Sequence, residues 1–209
     1  MPIALEYSLT ATSICNISLA ALGQGELSDV ETDEGPEADA CRRFYSIARK
    51  DVLREHSWAF GTVQEPLVEN PSVDEDDYPE YTYFYSYPSS CLTVWAVFNE
   101  VTVTEKWEQE FEKVYNPTLN EHIILTDQED AFAEYTYDVT DMTIWDSKFV
   151  MAFAYRLAAM MAKQITGDGA ISEAMMSLSN AYISEAKRVG ASEKRKVIEL
   201  SSKYINARA

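Results

Sequence analysis

The chain has 209 residues, 46% of them hydrophobic, which is enough to bury one core or two small ones. A formal net charge of −18, from 35 acidic and 17 basic residues, argues against a general phosphate-binding surface. No stretch approaches the roughly 18 consecutive apolar residues of a membrane span, and no secretory signal pattern is present, so we expect a soluble, unexported protein.

The first third of the chain has the apolar spacing of a helical hairpin. Apolar residues recur at helical intervals at Ile14, Ile17, Ala21 and Leu22. Gly23 then acts as a stop, which predicts a first helix over about residues 8–22. After an acidic connection, Pro36 stands where a first helical position is expected and predicts a second helix. The arginines of this second helix lie largely outside its apolar stripe.

The middle segment changes to strand periodicity. Prolines and the acidic run 74–77 break the helical pattern, and tyrosines then alternate strictly at Tyr81, Tyr83, Tyr85 and Tyr87. Further β-rich runs are found at residues 92–98, 101–104, 122–126 and 132–139. These runs predict one small antiparallel sheet. The tyrosine ladder suits a core or a subunit contact, and a ligand-binding groove is the alternative.

The helical period returns from Asp146 onward. One apolar face ends before Gly167, and a second ends at Gly190, which predicts a second helical hairpin. The predicted fold class is α+β: an antiparallel-type four-helix bundle with an inserted small antiparallel β-sheet and a C-terminal basic tail. The bundle is predicted to comprise residues 1–61 and 142–190, the sheet 62–141 and the docking tail 191–209.

Patterns typical of catalysis or metal binding are sparse. The histidines are His56 and His122, and no phosphate-binding loop, nucleophile elbow or HExxH helix occurs. The acidic run 74–77 lacks the alternation of an EF-hand loop. The cysteines have the spacing of neither a disulfide framework nor a metal knuckle, and reduced buried thiols are expected at Cys15, Cys41 and Cys91. We therefore expect no enzyme activity, no metal and no cofactor.

The charge is distributed unevenly along the chain. Residues 62–141 contain nineteen Asp and Glu but two basic residues, whereas residues 187–209 contain seven Lys and Arg and two Glu. This pattern predicts an acidic body with a basic terminal segment, which either docks on an acidic partner or is merely solvated.

Three stretches of the sequence, in the same order, resemble the tail tubular protein A and head-to-tail adaptor family of short-tailed bacteriophages. The run SICNISLAALGQGELSDVETDEGPEADACRRFYSIARKDVLREHSWAF is similar to the family's opening, with an N-x-x-L-x-x-L-G helix end and an H-x-W-x-F exit. YFYSYPSSCLTV resembles its tyrosine-rich strand entry. FVMAFAYRLAAMMAKQITGDGAISEAMMSLSNAYISEAKRVGA resembles its second helical hairpin.

The resemblance implies a structural virion protein, made in the host cytoplasm and located at the head–tail interface. It implies a dodecameric ring of identical subunits that binds the portal protein above and a tail or nozzle protein below. Double-stranded DNA would pass through the channel without specific binding, because an acidic wall repels phosphates. No membrane partner is expected.

Two sets of site residues follow from the resemblance together with the charge pattern. Portal docking is predicted for Lys194, Arg195, Lys196, Val197, Leu200 and Tyr204. Subunit contacts are predicted for Arg42, Arg43, Arg49, Tyr81, Tyr83 and Tyr85. The arginines would meet the acidic connection 26–39 of a neighbouring subunit, pair within their own subunit or remain solvated. The alternative function is an acidic small-ligand or carbohydrate-binding module with a tyrosine-lined groove.

Overall fold

The computed structural model describes residues 9–99 and 108–193. Its helices are α1 Ala11–Ala21, α2 Pro36–Arg54, α3 Ser147–Thr166 and α4 Gly169–Glu193. Its strands are β1 Thr62–Pro66, β2 Tyr83–Ser86, β3 Cys91–Phe98, β4 Glu108–Gln109, β5 Phe111–Asn116, β6 Glu121–Thr126 and β7 Phe132–Tyr137. Short 3-10 turns at Glu75–Asp77 and Met142–Ile144 complete the regular structure.

The helix ends follow from local capping chemistry. Thr10 and Ser13 form a capping box at the start of α1, in which each side chain bonds the other's backbone N–H. Pro36 opens α2 at a position where a missing N–H costs nothing. Asp146 caps α3 by accepting a hydrogen bond from the Lys148 N–H, and Gly167 ends that helix with a φ of 72°. The predicted starts of α2 and α3 are confirmed.

Helix α3 is the centre of the helical part. Helices α1, α2 and α4 all pack on it, and half of its residues are buried. Phe149, Phe153 and Leu157 are fully buried in this core. Aromatic rings of Trp58 and Tyr45 meet Phe149 and Phe153 edge-on, at centroid distances of 5.2 and 5.0 Å.

The strands form two antiparallel sheets. The first has four strands in the order β1-β7-β3-β4, and the second has three in the order β2-β6-β5. One face of the second sheet meets the first, with Tyr85 and Ile124 packed in one cluster with Val97. On its other face Phe84, Ile123 and Leu125 share a separate cluster with Val73, which lies in the loop before β2. Both faces of this sheet are therefore covered within the chain.

The predicted fold class is wrong. Seven strands in two sheets replace the single small sheet, and the helices do not form a four-helix bundle. In a closed bundle each helix packs on two neighbours, whereas here α1, α2 and α4 surround α3, and α4 packs mainly on α3 within the described ranges. The α+β composition of four helices and antiparallel strands is present.

Smaller predictions differ as well. Helix α4 continues through Gly190 to Glu193, so this glycine does not end it. Strands β1 and β5 were not predicted, because their residues are mostly half-buried or exposed and show no clear alternation. The predicted strand at 101–104 and the tail beyond Glu193 lie outside the described residues.

Candidate interaction surface

Arg42, predicted at a subunit contact, has its partners within its own chain. Its guanidinium donates hydrogen bonds to the carbonyl oxygens of Val30 at 2.5 Å and Asp33 at 3.0 Å, and it pairs with Asp39. These bonds fasten the acidic connection between α1 and α2 to the start of α2. Arg42 thus has three partners within its own subunit.

Arg49 and Arg43 differ in the strength of their contacts within the subunit. Arg49 pairs with Asp138 at 2.7 Å, and its side chain is only 11% exposed. This ion pair ties α2 to the segment after β7. Arg43 is exposed, and its guanidinium donates one longer hydrogen bond, 3.3 Å, to the side-chain oxygen of Gln164 on α3. Of the three arginines, Arg43 is thus the one with no carboxylate partner among the described contacts.

The tyrosine ladder is used mainly inside the subunit. Tyr85 is 3% exposed, and its hydroxyl donates to the Gln128 carbonyl at 2.8 Å and accepts from the Ala131 N–H at 3.3 Å. Tyr83 packs in the same cluster between the sheets. Tyr81 is half-buried against the other face, with its hydroxyl 3.5 Å from Glu112. Of these three tyrosines, Tyr83 and Tyr85 therefore pack on one face of the second sheet and Tyr81 on the other.

Tyr87 instead borders an open cavity of about 490 Å³ between the two sheets. Tyr135 and the loop residues 88–90 form other parts of its wall. Glu65, also in the wall, accepts a hydrogen bond from the Tyr135 hydroxyl at 2.8 Å. Burial, followed by this carboxylate, raises the pKa of Tyr135 to about 12. Aromatic rings beside hydroxyl and carboxylate groups are suited to a small polar ligand.

A buried arginine that the sequence analysis missed joins three helices. Arg156 on α3 is 4% exposed, and its guanidinium pairs with Asp51 on α2. On α4 it donates to Asn180 at 3.0 Å and to Ser179 at 3.3 Å. The signal was present in the sequence, because Arg156 falls at helical spacing within the apolar face of α3.

The helical part has an open flank between α2 and α4. The outward side of α4 borders an open cavity of about 470 Å³ lined by Ser172, Glu173, Met176, Ser177 and Asn180. On the α2 side, Ile47 is 55% exposed. This surface, the α2–α4 flank, combines the exposed apolar side chain of Ile47 and the half-buried Met176 with charged groups at its margins, among them Arg43, Asp51 and Glu173.

The groups able to do chemistry are dispersed or buried. Among the described residues, no group of three or more His, Cys, Asp or Glu side chains is placed to hold a metal ion. His56 packs edge-on against Trp58, and His122 does so against Tyr115. A hydrogen bond with Cys41 and burial raise the pKa of the Cys15 thiol, so it is a poor nucleophile.

The predicted portal-docking residues, Lys194, Arg195, Lys196, Val197, Leu200 and Tyr204, lie outside the described residues. No helix within the described ranges is both long and apolar enough to cross a membrane. In comparisons with known proteins, no protein-family model and no curated protein matches this sequence.

Proposed function

We propose that this protein is a non-enzymatic virion subunit whose ring joins the portal of a short-tailed bacteriophage to its tail. The observation that carries the proposal is the α2–α4 flank. It leaves Ile47 and the outward side of α4 exposed. A ring subunit needs such a lateral surface. The sequence resemblance supplies the position between portal and tail.

The charge of the chain supports passage of DNA through such a ring. A net charge of −18 disfavours binding to the phosphate backbone, because cationic contacts supply most non-specific affinity for DNA. The middle segment contributes much of this acidity. DNA would therefore slide along the channel wall during packaging and ejection without being retained.

The test is to mix the full chain with the portal ring encoded by the same genome and to measure the mass of the product by native mass spectrometry. A portal-dependent ring with one copy per portal subunit is expected. Absence of association at both low and moderate salt would contradict the proposal. A chain truncated after Glu193, which keeps all the described residues of α4, is expected to lose portal binding, because it lacks Lys194–Lys196 and the apolar residues that follow.

The cavity between the sheets favours a second candidate function, binding of a small carbohydrate-like ligand. The half-buried Tyr87 would offer its ring, and Glu65, held by the hydroxyl of the buried Tyr135, a hydrogen-bond acceptor. A glycan panel titrated against the wild type and the Tyr87→Ala variant tests this function. Glycan binding that depends on Tyr87, with no portal association, would replace the adaptor proposal.

A further inference from the structure

We propose that the α2–α4 flank of one copy receives the part of the acidic connection that precedes α2, residues 26–35, of a second copy of this chain, with Arg43 facing Glu31 and Glu34. This inference rests on the proposed ring and names the surfaces that would meet in it. It follows from the packing of the flank, from the direction of the connection and from the charges on each.

The contacts of α2 with α3 locate Ile47 on the flank. Arg43 bonds Gln164, and two turns further along α2 Asp51 pairs with Arg156. In the sequence, Ile47 lies midway between Arg43 and Asp51 of α2. Met160 likewise lies midway between Arg156 and Gln164 of α3. Because residues four apart share a helix face, Ile47 lies beside half-buried Met160.

The contacts of α4 with α3 place Met176 at a similar level. The Ser172 hydroxyl bonds the Ala159 carbonyl at 2.7 Å, and Asn180 bonds Arg156 at 3.0 Å. Met176 lies midway between Ser172 and Asn180. Ile47, Met160 and Met176 therefore lie at similar levels on three neighbouring helices, and together they are the apolar floor that we infer for the flank.

The outward side of α4 carries little charge. Its exposed residues from Ala170 to Ser184 include a single charged one, Glu173. In a chain of which 25% is charged, an exposed helix face normally carries more. Depletion of charge together with exposed apolar side chains is typical of a surface that another protein covers.

The acidic connection offers the complementary surface. Within it, the Asp33 carboxylate accepts hydrogen bonds from the backbone N–H groups of Ser28 and Asp29, at 2.6 and 3.3 Å. This loop is therefore shaped by its own contacts. Glu26, Glu31 and Glu34 are exposed on it, and their carboxylates are directed at solvent or at a partner.

The two surfaces of one copy face different ways, as a head-to-tail contact requires. Arg42 binds the connection of its own chain, whereas Arg43 points toward α3 and the flank. Consecutive helix positions are about 100° apart. One copy can therefore use its flank and its connection at the same time, toward two different neighbours.

Charge identifies the occupant as a second copy. Two chains of net charge −18 repel each other unless a basic residue of one meets carboxylates of the other. Arg43 is an exposed cation next to the apolar floor, and Glu31 and Glu34 are exposed anions on a preformed loop. The chain thus carries both halves of one complementary contact.

A charge exchange tests the inference. Arg43→Glu is expected to raise the protein concentration needed for ring assembly on the portal about tenfold or more, because like charges would then meet. The pair Glu31→Arg with Glu34→Arg should have a similar effect. Combining all three substitutions should restore assembly. Native mass spectrometry gives the assembly state, and far-UV circular dichroism checks that each variant is folded.

Control variants separate the loss of the Arg43 contact from the general effect of a changed charge. Arg188→Glu makes the same charge change at an exposed position of α4 and should assemble like wild type. Ile47→Gln tests the apolar floor without a charge change and should weaken assembly. Wild-type-like assembly by Arg43→Glu, or no recovery in the triple variant, would overturn the inference while the ring proposal stands. Failure of the wild-type chain to associate with itself, with or without portal, would overturn both.

Discussion

At the scale of single residues, Arg156 connects three helices through its side-chain contacts. Its guanidinium is buried on α3 and reaches partners on α2 and α4, so one side chain sets the spacing of three helices. A buried cation is tolerated only when its donors are matched by acceptors. Asp51 is the closest carboxylate, and Glu55 lies 3.7 Å away.

Asp51→Ala is expected to lower the free energy of unfolding by about 2–3 kcal/mol, because Arg156 loses its closest counter-charge but stays buried. The matched variant Glu55→Ala removes a longer, half-exposed contact and should cost about 1 kcal/mol or less. Urea unfolding measures both. Equal effects of the two substitutions would show that Arg156 does not depend on Asp51.

Tyr135 predicts a loss of stability at high pH. Its pKa is raised to about 12 in the folded protein, against an ordinary value of about 10 in the unfolded chain. The unfolded state therefore loses this proton first, so the stabilisation is complete below about pH 10 and declines as the pH rises toward 12. Tyr135→Phe should show a smaller fall in unfolding free energy between pH 9 and 11. The unfolding free energy is measured by urea titration at each pH. An equal fall between pH 9 and 11 in the variant and the wild type would contradict this account.

At the scale of elements, the turn between α3 and α4 depends on one glycine. Gly167 has a φ of 72°, a left-handed conformation that strains other residues, whereas Gly169 opens α4 without positive φ. Gly167→Ala should destabilise the protein by about 1 kcal/mol. Gly169→Ala, the control, should be neutral or stabilising by up to about 1 kcal/mol. Thermal unfolding of the two variants, compared with wild type, measures the contrast.

The sequence predicted elements with strong periodicity and clear stops, and it failed where those signals are weak. The starts of α2 and α3 followed from Pro36 and Asp146, because both supply local capping chemistry. Edge strand β5 lacks clear alternation and exists through its pairing with β6. Gly190 did not stop α4, because a single glycine costs a long helix only about 1 kcal/mol.

The candidate site was predicted less well than the elements. Alternation correctly indicated a strand at Tyr83 and Tyr85, but periodicity does not show what covers each face. The second sheet lies against the first, so Tyr85 is buried within the subunit. Likewise a run of arginines indicates a basic helix, whereas the partners of Arg42 and Arg49 depend on loops distant in sequence.

At the scale of the whole molecule, α3 is the most enclosed helix. It is covered by α1, α2 and α4, so its amides between about Ala152 and Ala162 should exchange most slowly with solvent. Strand β5 should exchange much faster, since within the described ranges it pairs only with β6. Hydrogen exchange followed by mass spectrometry checks this order. Slower exchange in β5 than in α3 would contradict it.

The two points where the chain passes between the helical part and the strand-rich segment lie next to each other. The Tyr137 N–H bonds the Gly61 carbonyl at 3.0 Å, and a Cβ on Gly61 would lie 3.1 Å from Val139. The chain thus leaves the helical part and returns to it at neighbouring points. A segment attached in this way can be lengthened, shortened or exchanged during evolution without rerouting any helix. Related chains could therefore keep one arrangement of helices and diverge freely in the strand-rich segment between these two crossing points.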